Sequence, residues 1–264
     1  KIWETIYYGI SIAQHVELRK FDIMLAGQWP LFHLIPARIF CFLGKSKLVV
    51  DWWEVWGRDH WISYFGKKGV LGLLLEKLLS RITPHIIAIT LKGKDQLQDL
   101  GVSKDAVTFI PNGIDFEKIS NSNIKSDEFD LVYMGRLKDH KNVDHLVRAV
   151  SLLNEMGDFV TLQIIGDGPE RKNLEALVKE LNISDNVKFH GGIESDIEAY
   201  SRMKASRLFV HPSTKEGGGS ITVLEANACG LPVVAYKDKN GIADELIEEG
   251  INGLRAFIIA GLVA

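Results

Sequence analysis

The sequence predicts an α/β protein of two units, each a parallel sheet covered by helices. Three observations carry this. Short apolar, β-branched runs alternate with longer amphipathic stretches along the chain, the pattern of buried strands and their covering helices. The polar segment Asn121–Glu128 (NSNIKSDE) has no apolar periodicity and separates two such series. The 264 residues, 46% of them hydrophobic, suffice for two modest cores, since domains commonly hold about 100–150 residues.

Taken in order, strands are expected at Asp22–Gly27, Lys47–Asp51, Ile86–Thr90 and Val107–Ile110 in the first series. In the second they are expected at Asp130–Gly135, Val160–Ile165, Val187–His190, Leu208–His211 and Pro232–Tyr236. Helical spacing marks Val70–Ile82, then Asn142–Met156, Glu170–Leu181, Ile197–Met203, Ile221–Cys229 and Ala243–Glu249. The units are therefore expected at 1–122 and 123–264. Ligands of such sheets bind at the carboxyl ends of the strands, and two such units set a cleft there. The unusual residues of the second unit cluster in its post-strand turns, Gly135–Lys141, Gly166–Glu170, Gly191–Glu194 and Ser213–Gly219.

Composition narrows the function. With 31 basic against 34 acidic residues, net charge −3, nothing electrostatic favours nucleic acid. Cys41 and Cys229 are distant in sequence and sit in apolar contexts, which reads as a reduced, cytoplasmic protein. No run of about 18 apolar residues is present to span a bilayer, and no signal peptide is visible. His15, His33, His140 and His145 have no metal-ligand spacing, and no Ser/His/Asp set suggests a nucleophile. Ile2–Ile12 already reads as the middle of a domain, and AFIIAGLVA stops without a cap. A fragment lacking material at both ends is expected.

The most informative stretch is Val210–Ala235, VHPSTKEGGGSITVLEANACGLPVVA. Glu216 precedes Gly217, Gly218 and Gly219; a helix is expected from Ser220 and Ile221, carrying Glu225. Glycines let backbone approach a ligand closely, and a helix start suits a phosphate. Two acids can take hydroxyls on either side of it, which is the layout of a nucleotide sugar. Gly135-Arg136-Leu137 closes a strand, and Lys141 opens the next helix. Two cations there run against the dipole preference for acids. A bound anion between them resolves the conflict; a solvated basic turn is the plain alternative. Gly166 and Gly168, in GDGPE, are nearly explained by the turn and by Pro169 starting a helix. Gly191-Gly192-Ile193 resembles that turn and could leave backbone free to read a base. Pro111-Asn112-Gly113-Ile114-Asp115 is a turn at the mouth of the expected cleft. Asp51–Trp56, with His60, Trp61, Tyr64, Phe65, Lys67 and Lys68, forms an aromatic and basic cluster that could touch a membrane or a lipid-linked acceptor. In the helix after it, Leu71, Leu74, Leu75, Leu78 and Leu79 are expected to be mostly core.

These residues match a known family. IPNGID (110–115), GRLKDHKN (135–142), IGDGPE (165–170), VHPST (210–214), EGGGS (216–220), LEANACGLPVVA (224–235) and EEGINGL (248–254) resemble the glycosyltransferases of family 4, the "glycosyl transferases group 1". That family has two facing Rossmann-like domains, the GT-B type, and the resemblance implies that the first is incomplete here. It also implies a retaining, metal-independent transfer from a nucleotide diphosphate sugar, with a UDP- or GDP-sugar the expected donor. The acceptor would be a glycan, a lipid-linked or a small molecule, in glycan biosynthesis at or near the inner membrane face. Carried over, Arg136 and Lys141 hold the diphosphate and stabilise the leaving group, as a metal does elsewhere. Backbone near Gly218–Ser220 assists, Glu225 takes the ribose hydroxyls, and Glu216 contacts the donor sugar beside the reacting carbon. The leaving phosphate takes the acceptor's proton, so a two-carboxylate hydrolase scheme is not implied.

The chain departs from the family in three ways. Eight residues lie between Glu216 and Glu225 where the family has about seven, so either the glycine loop absorbs one or Glu216 is displaced. Trp53 stands where many relatives have His. The family's first glycine-rich loop would precede Lys1, its closing helices would follow Leu254, and Arg255–Ala264 leaves the pattern. A nucleotide-sugar epimerase of the same fold and a non-catalytic binding module remain as alternatives. An NAD enzyme lacks its Gly-x-Gly-x-x-Gly fingerprint here.

Overall fold

A computed structural model describes residues 7–8, 11, 21–123, 128–214, 219–237 and 243–256. The chain forms two compact units: Lys1–Asn112 with Gly217–Gly219, and Gly113–Glu216 with Ser220–Ala264. This division precedes the boundary expected after residue 122. The difference has a physical source in the short helix over 116–120. Its Ile119 is fully buried in a core cluster of the second unit, with Met203 and Phe209. Lys204 Nζ closes the end of that helix on three carbonyls, those of Ile119, Ser120 and Ser122.

In the first unit β1 (Ile23–Gly27), β2 (Lys47–Trp52), β3 (Ile86–Ala88) and β4 (Val107–Phe109) lie in chain order, all parallel. They are joined by α1 (Leu34–Gly44), α2 (Gly57–Phe65) with α3 (Gly69–Leu79), and α4 (Leu91–Asp99). Leu48, Val50 and Trp52 alternate into the core from β2, as period-two strand geometry requires. Thr90 caps α4 by accepting from Gly93 N at 2.9 Å.

The leucine stripe of α3 does not face the core. Leu71, Leu74 and Leu78 are exposed, and of the five leucines only Leu79 is buried. The inward face is instead Gly69, Gly72, Glu76 and Leu79. Trp61 of α2 explains the rotation. A Cβ on Gly72 would meet the Trp61 ring at 2.1 Å, and one on Gly69 its carbonyl oxygen at 2.1 Å. The bare helix face admits a large ring that a leucine face would exclude.

The second unit contains α5 (Phe116–Ser120), β5 (Phe129–Met134), α6 (Val143–Met156), β6 (Leu162–Ile165), α7 (Arg171–Glu180), β7 (Val187–Gly191) and α8 (Asp196–Lys204). It continues with β8 (Ser206–His211), α9 (Ile221–Ala228), β9 (Val233–Tyr236), α10 (Ala243–Leu246) and β10 (Gly253–Ala256). The sheet order is β10-β9-β8-β5-β6-β7, wholly parallel. From the β7 edge it reads 3-2-1-4-5-6 in strand sequence, the Rossmann order, whose switch point lies between the first and fourth strands. Here those are β5 and β8. All nine expected strands occur, with ends displaced by no more than two residues. β10 is the strand the sequence did not announce: it contains only GLRA, after an Asn-Gly turn.

Candidate functional site

Of the residues expected to bind the donor, Gly135, Arg136 and Lys141 lie on the loop after β5, beside the switch point, and Gly166 and Gly168 on the loop after the neighbouring β6. β5 ends at Met134, and the chain turns through Gly135 and the exposed Arg136 to a 3₁₀ turn, Asp139–Lys141. Lys141 therefore lies in the turn before α6 and not inside the helix. Asn142 follows in the left-handed conformation, φ 49°, which asparagine tolerates. Its side chain makes no cap bond to its own helix. It reaches the loop after β8 instead, donating from Nδ2 to the Pro212 carbonyl at 2.9 Å and to Thr214 Oγ1 at 3.1 Å. Ser213 Oγ donates back to the His140 carbonyl at 3.3 Å. The two switch-point loops are thus sewn together.

The loop after β6 abuts the same turn. Gly135 N donates to Ile165 O at 2.9 Å, and Leu137 N to Asp167 O at 2.9 Å. A Cβ on Gly168 would meet the Leu137 carbonyl oxygen at 2.2 Å. Gly166, at φ +139°, would bring a Cβ to 1.9 Å from the Gly135 carbonyl oxygen. Backbone packing thus accounts for both glycines. Gly166→Ala is expected to cost about 2–3 kcal/mol, combining a conformation that L residues avoid with a backbone clash. Urea unfolding followed by far-UV circular dichroism checks it; an unchanged midpoint would show that the loops yield freely.

Of the remaining expected residues, Ile193 is half-buried against the core of the second unit. Ser220 is buried and precedes α9 without capping it; its Oγ lies 3.1 Å from Thr222 Oγ1. Ile221 is exposed. Glu225, one turn further, accepts from Tyr200 Oη at 2.8 Å. Burial raises the Glu225 pKa, opposed by the Tyr200 bond and reinforced by Asp196. Glu216, Gly217 and Gly218 lie outside the described residues. Asn112 and Gly113 fall on either side of the division between units. Asn112 Nδ2 donates to Gly219 O at 3.2 Å within the first, and Asp115 caps α5 through Lys118 N at 3.0 Å. Tyr200 and Asn142 had no sequence signal for these roles: both act across elements, and only the packed fold pairs them with their partners.

At the carboxyl end of the first sheet, fully buried Gln28 clamps the loop after β2. Its Nε2 donates to Glu54 O at 2.6 Å, and its Oε1 accepts from Trp53 N at 3.1 Å and Glu54 N at 3.0 Å. Trp53 is half exposed and donates from Nε1 to Asp51 Oδ2 at 2.7 Å. Among the described residues no group of three His, Cys, Asp or Glu is placed to hold a metal. No described helix is long and apolar enough to cross a membrane.

Two Rossmann-like domains, each a wholly parallel sheet, define a fold of the GT-B glycosyltransferase class. The chain belongs to the glycosyl transferases group 1 family, which matches residues 115–257, more than half of it. It is 27% identical over 201 residues to an uncharacterized glycosyltransferase of Methanocaldococcus jannaschii, covering 73% of this chain and 49% of that protein. It is 36% identical over 104 residues to the 2-deoxystreptamine glucosyltransferase of Streptomyces kanamyceticus, covering 39% of this chain and 26% of that one. With the GDP-mannose-dependent alpha-(1-6)-phosphatidylinositol monomannoside mannosyltransferase of Mycolicibacterium smegmatis it shares 32% over 129 residues, 47% and 33% of the two chains. The chain thus spans half or less of the length of these relatives. In fold it is similar to the crystal structure of Anabaena HepE in complex with UDP, with a TM-score of 0.77 at 21% identity. That likeness covers 98% of this chain and 70% of the other, and it speaks to fold alone.

Proposed function

We propose that this chain is part of a retaining, metal-independent glycosyltransferase of family 4 that moves a sugar from a nucleotide diphosphate sugar to a glycan, lipid-linked or small-molecule acceptor. The observation that carries the reading is the family match over residues 115–257, a span that includes the loops after β5, β6 and β8. The GDP-mannose dependence of one relative and the UDP-glucose held by Anabaena HepE favour a UDP- or GDP-sugar donor.

In this reading Arg136 and Lys141 bind the diphosphate and neutralise charge as the bond from the anomeric carbon to the phosphate oxygen breaks. Backbone N–H groups at Gly218–Ser220 assist, Glu225 takes the ribose hydroxyls, and Glu216 holds the donor sugar. The acceptor oxygen bonds to the anomeric carbon on the face the phosphate leaves, and its proton passes to a phosphate oxygen. On the first domain, exposed Phe65, Leu71 and Leu74 beside Lys67 and Lys68 suit an anionic, cytoplasmic membrane face presenting a lipid-linked acceptor.

A thermal-shift panel of UDP, GDP and ADP with their sugars tests the reading, because a ligand that binds only the native form raises stability by about 2.7 kcal/mol at a hundred times its Kd. At least one is expected to shift the transition, with no change when EDTA is added. A well-folded sample that responds to none defeats the proposal.

A further inference from the structure

Tyr200 and Glu225 come from different helices, α8 and α9, that precede and follow β8. Their hydrogen bond, Tyr200 Oη to Glu225 Oε1 at 2.8 Å, is the only one Glu225's side chain makes among the described residues. The donor is firmly seated. Tyr200 is 6% exposed and packs in the cluster of Met203, Phe209, Val223 and Ala226. A glutamate side chain loses up to about 2 kcal/mol of rotamer freedom when it is fixed. Here one oxygen is already fixed by a rigid phenol while Oε2 is left to accept. Burial also opposes the Glu225 charge, and the tyrosine bond is the contact that supports it.

We propose that Tyr200 is a positioning residue that holds the Glu225 carboxylate ready for the ribose hydroxyls, and so sets the site's preference for a ribonucleoside diphosphate over its dideoxy counterpart. The proposal rests on the reading of Glu225 as the ribose acceptor. It assigns a role to a side chain that need not touch the ligand. The hydroxyl is the active part: phenylalanine would keep the packing and lose the anchor.

The test is calorimetric titration of the 264-residue chain with UDP, GDP and ADP and with their 2′,3′-dideoxy forms. Wild type is expected to prefer the ribonucleotide of the base it binds. Tyr200→Phe should lower ribonucleotide affinity about ten-fold, the worth of one hydrogen bond to a charged group, and leave dideoxy affinity unchanged. Glu225→Gln should reduce the same preference, and Tyr200→Phe added to it should have no further effect. Equal loss for both nucleotides in Tyr200→Phe means a merely structural tyrosine and overturns the proposal. So does a wild-type preference in Tyr200→Phe when Glu225→Gln has lost it, while the reading of Glu225 stands. A preference untouched by Glu225→Gln, or no nucleotide bound at all, removes that reading and the proposal together.

Discussion

Glu76→Ala is expected to destabilise the first unit by on the order of 3–5 kcal/mol. Glu76 is fully buried on α3 and accepts three hydrogen bonds. Oε1 takes Trp56 N at 2.8 Å; Oε2 takes Gly57 N at 3.0 Å and Trp61 Nε1 at 2.9 Å. Alanine strands three donors, each costing about 1–3 kcal/mol when left unpaired in the interior, with partial rescue by entering water. The site leaves little room for compensation. Trp61 is wedged against Gly69 and Gly72, and Trp29 and Trp56 pack on it with ring centroids 6.3 and 4.8 Å away. Glu76→Gln keeps the shape but turns an amide N–H₂ toward a donor, so a smaller loss of about 1–3 kcal/mol is expected.

The measurement is unusually clean, because all six tryptophans lie within residues 1–112. Urea unfolding read by tryptophan fluorescence therefore reports on this unit alone. Burial raises the Glu76 pKa against the pull of its three donors, and neighbouring Glu54 adds to the rise. The folded unit consequently binds more protons than the unfolded chain above the ordinary glutamate range, about 4.3. Stability from this group is full below that value and falls as pH rises through the folded pKa. Glu76→Gln should flatten that part of the pH profile. An alanine variant as stable as wild type would mean that the three donors find other acceptors.

Glu76 also marks where a linear reading of residues ends. Leu71, Leu74, Leu75 and Leu78 make the most regular apolar series in the first half of the chain, and periodicity assigns that face to the core. The fold uses the neighbouring face because a ring of tryptophan size needs glycines opposite it and the indole N–H needs an acceptor. Neither need is visible until α2 and α3 are packed. The strands were legible for the opposite reason: short, largely apolar runs such as LVV and LQII are what a helix-covered parallel sheet requires. β10 does not stand out in this way, because GLRA carries a glycine and an arginine and leaves Leu254 exposed. At the candidate site, the turns were readable from their glycines and Pro169, whereas the packing of Gly166 and Gly168 on the carbonyls of Gly135 and Leu137 was not. The link from Asn142 to Pro212 and that from Tyr200 to Glu225 join residues tens of positions apart, and sequence spacing carries no trace of either.

Arg136→Ala and Lys141→Ala are each expected to weaken nucleoside diphosphate binding by roughly ten- to a hundred-fold, the range of one charge-assisted hydrogen bond. The positions support a shared task. Both residues lie on the Gly135–Asn142 turn at the switch point, which Asn142 ties to the loop after β8, so neither would need a large backbone change to meet a ligand there. Arg136 is exposed, and a guanidinium there can engage two phosphate oxygens at once. Arg136→Lys keeps the charge but loses the fork, and should recover only part of the affinity. A phosphate-free nucleoside supplies the control: under the proposed role, which confines the lost contacts to phosphate, its affinity should not change in any of the three variants. Added salt should weaken diphosphate binding by wild type more than by the variants, since part of the attraction is screened. Where donor is turned over, the same alanine variants should lose about 10²–10³-fold in kcat, because charge on a leaving diphosphate grows toward the transition state. Equal losses for nucleoside and nucleoside diphosphate would instead place the damage in the turn itself, and the two cations would then be a solvated basic turn.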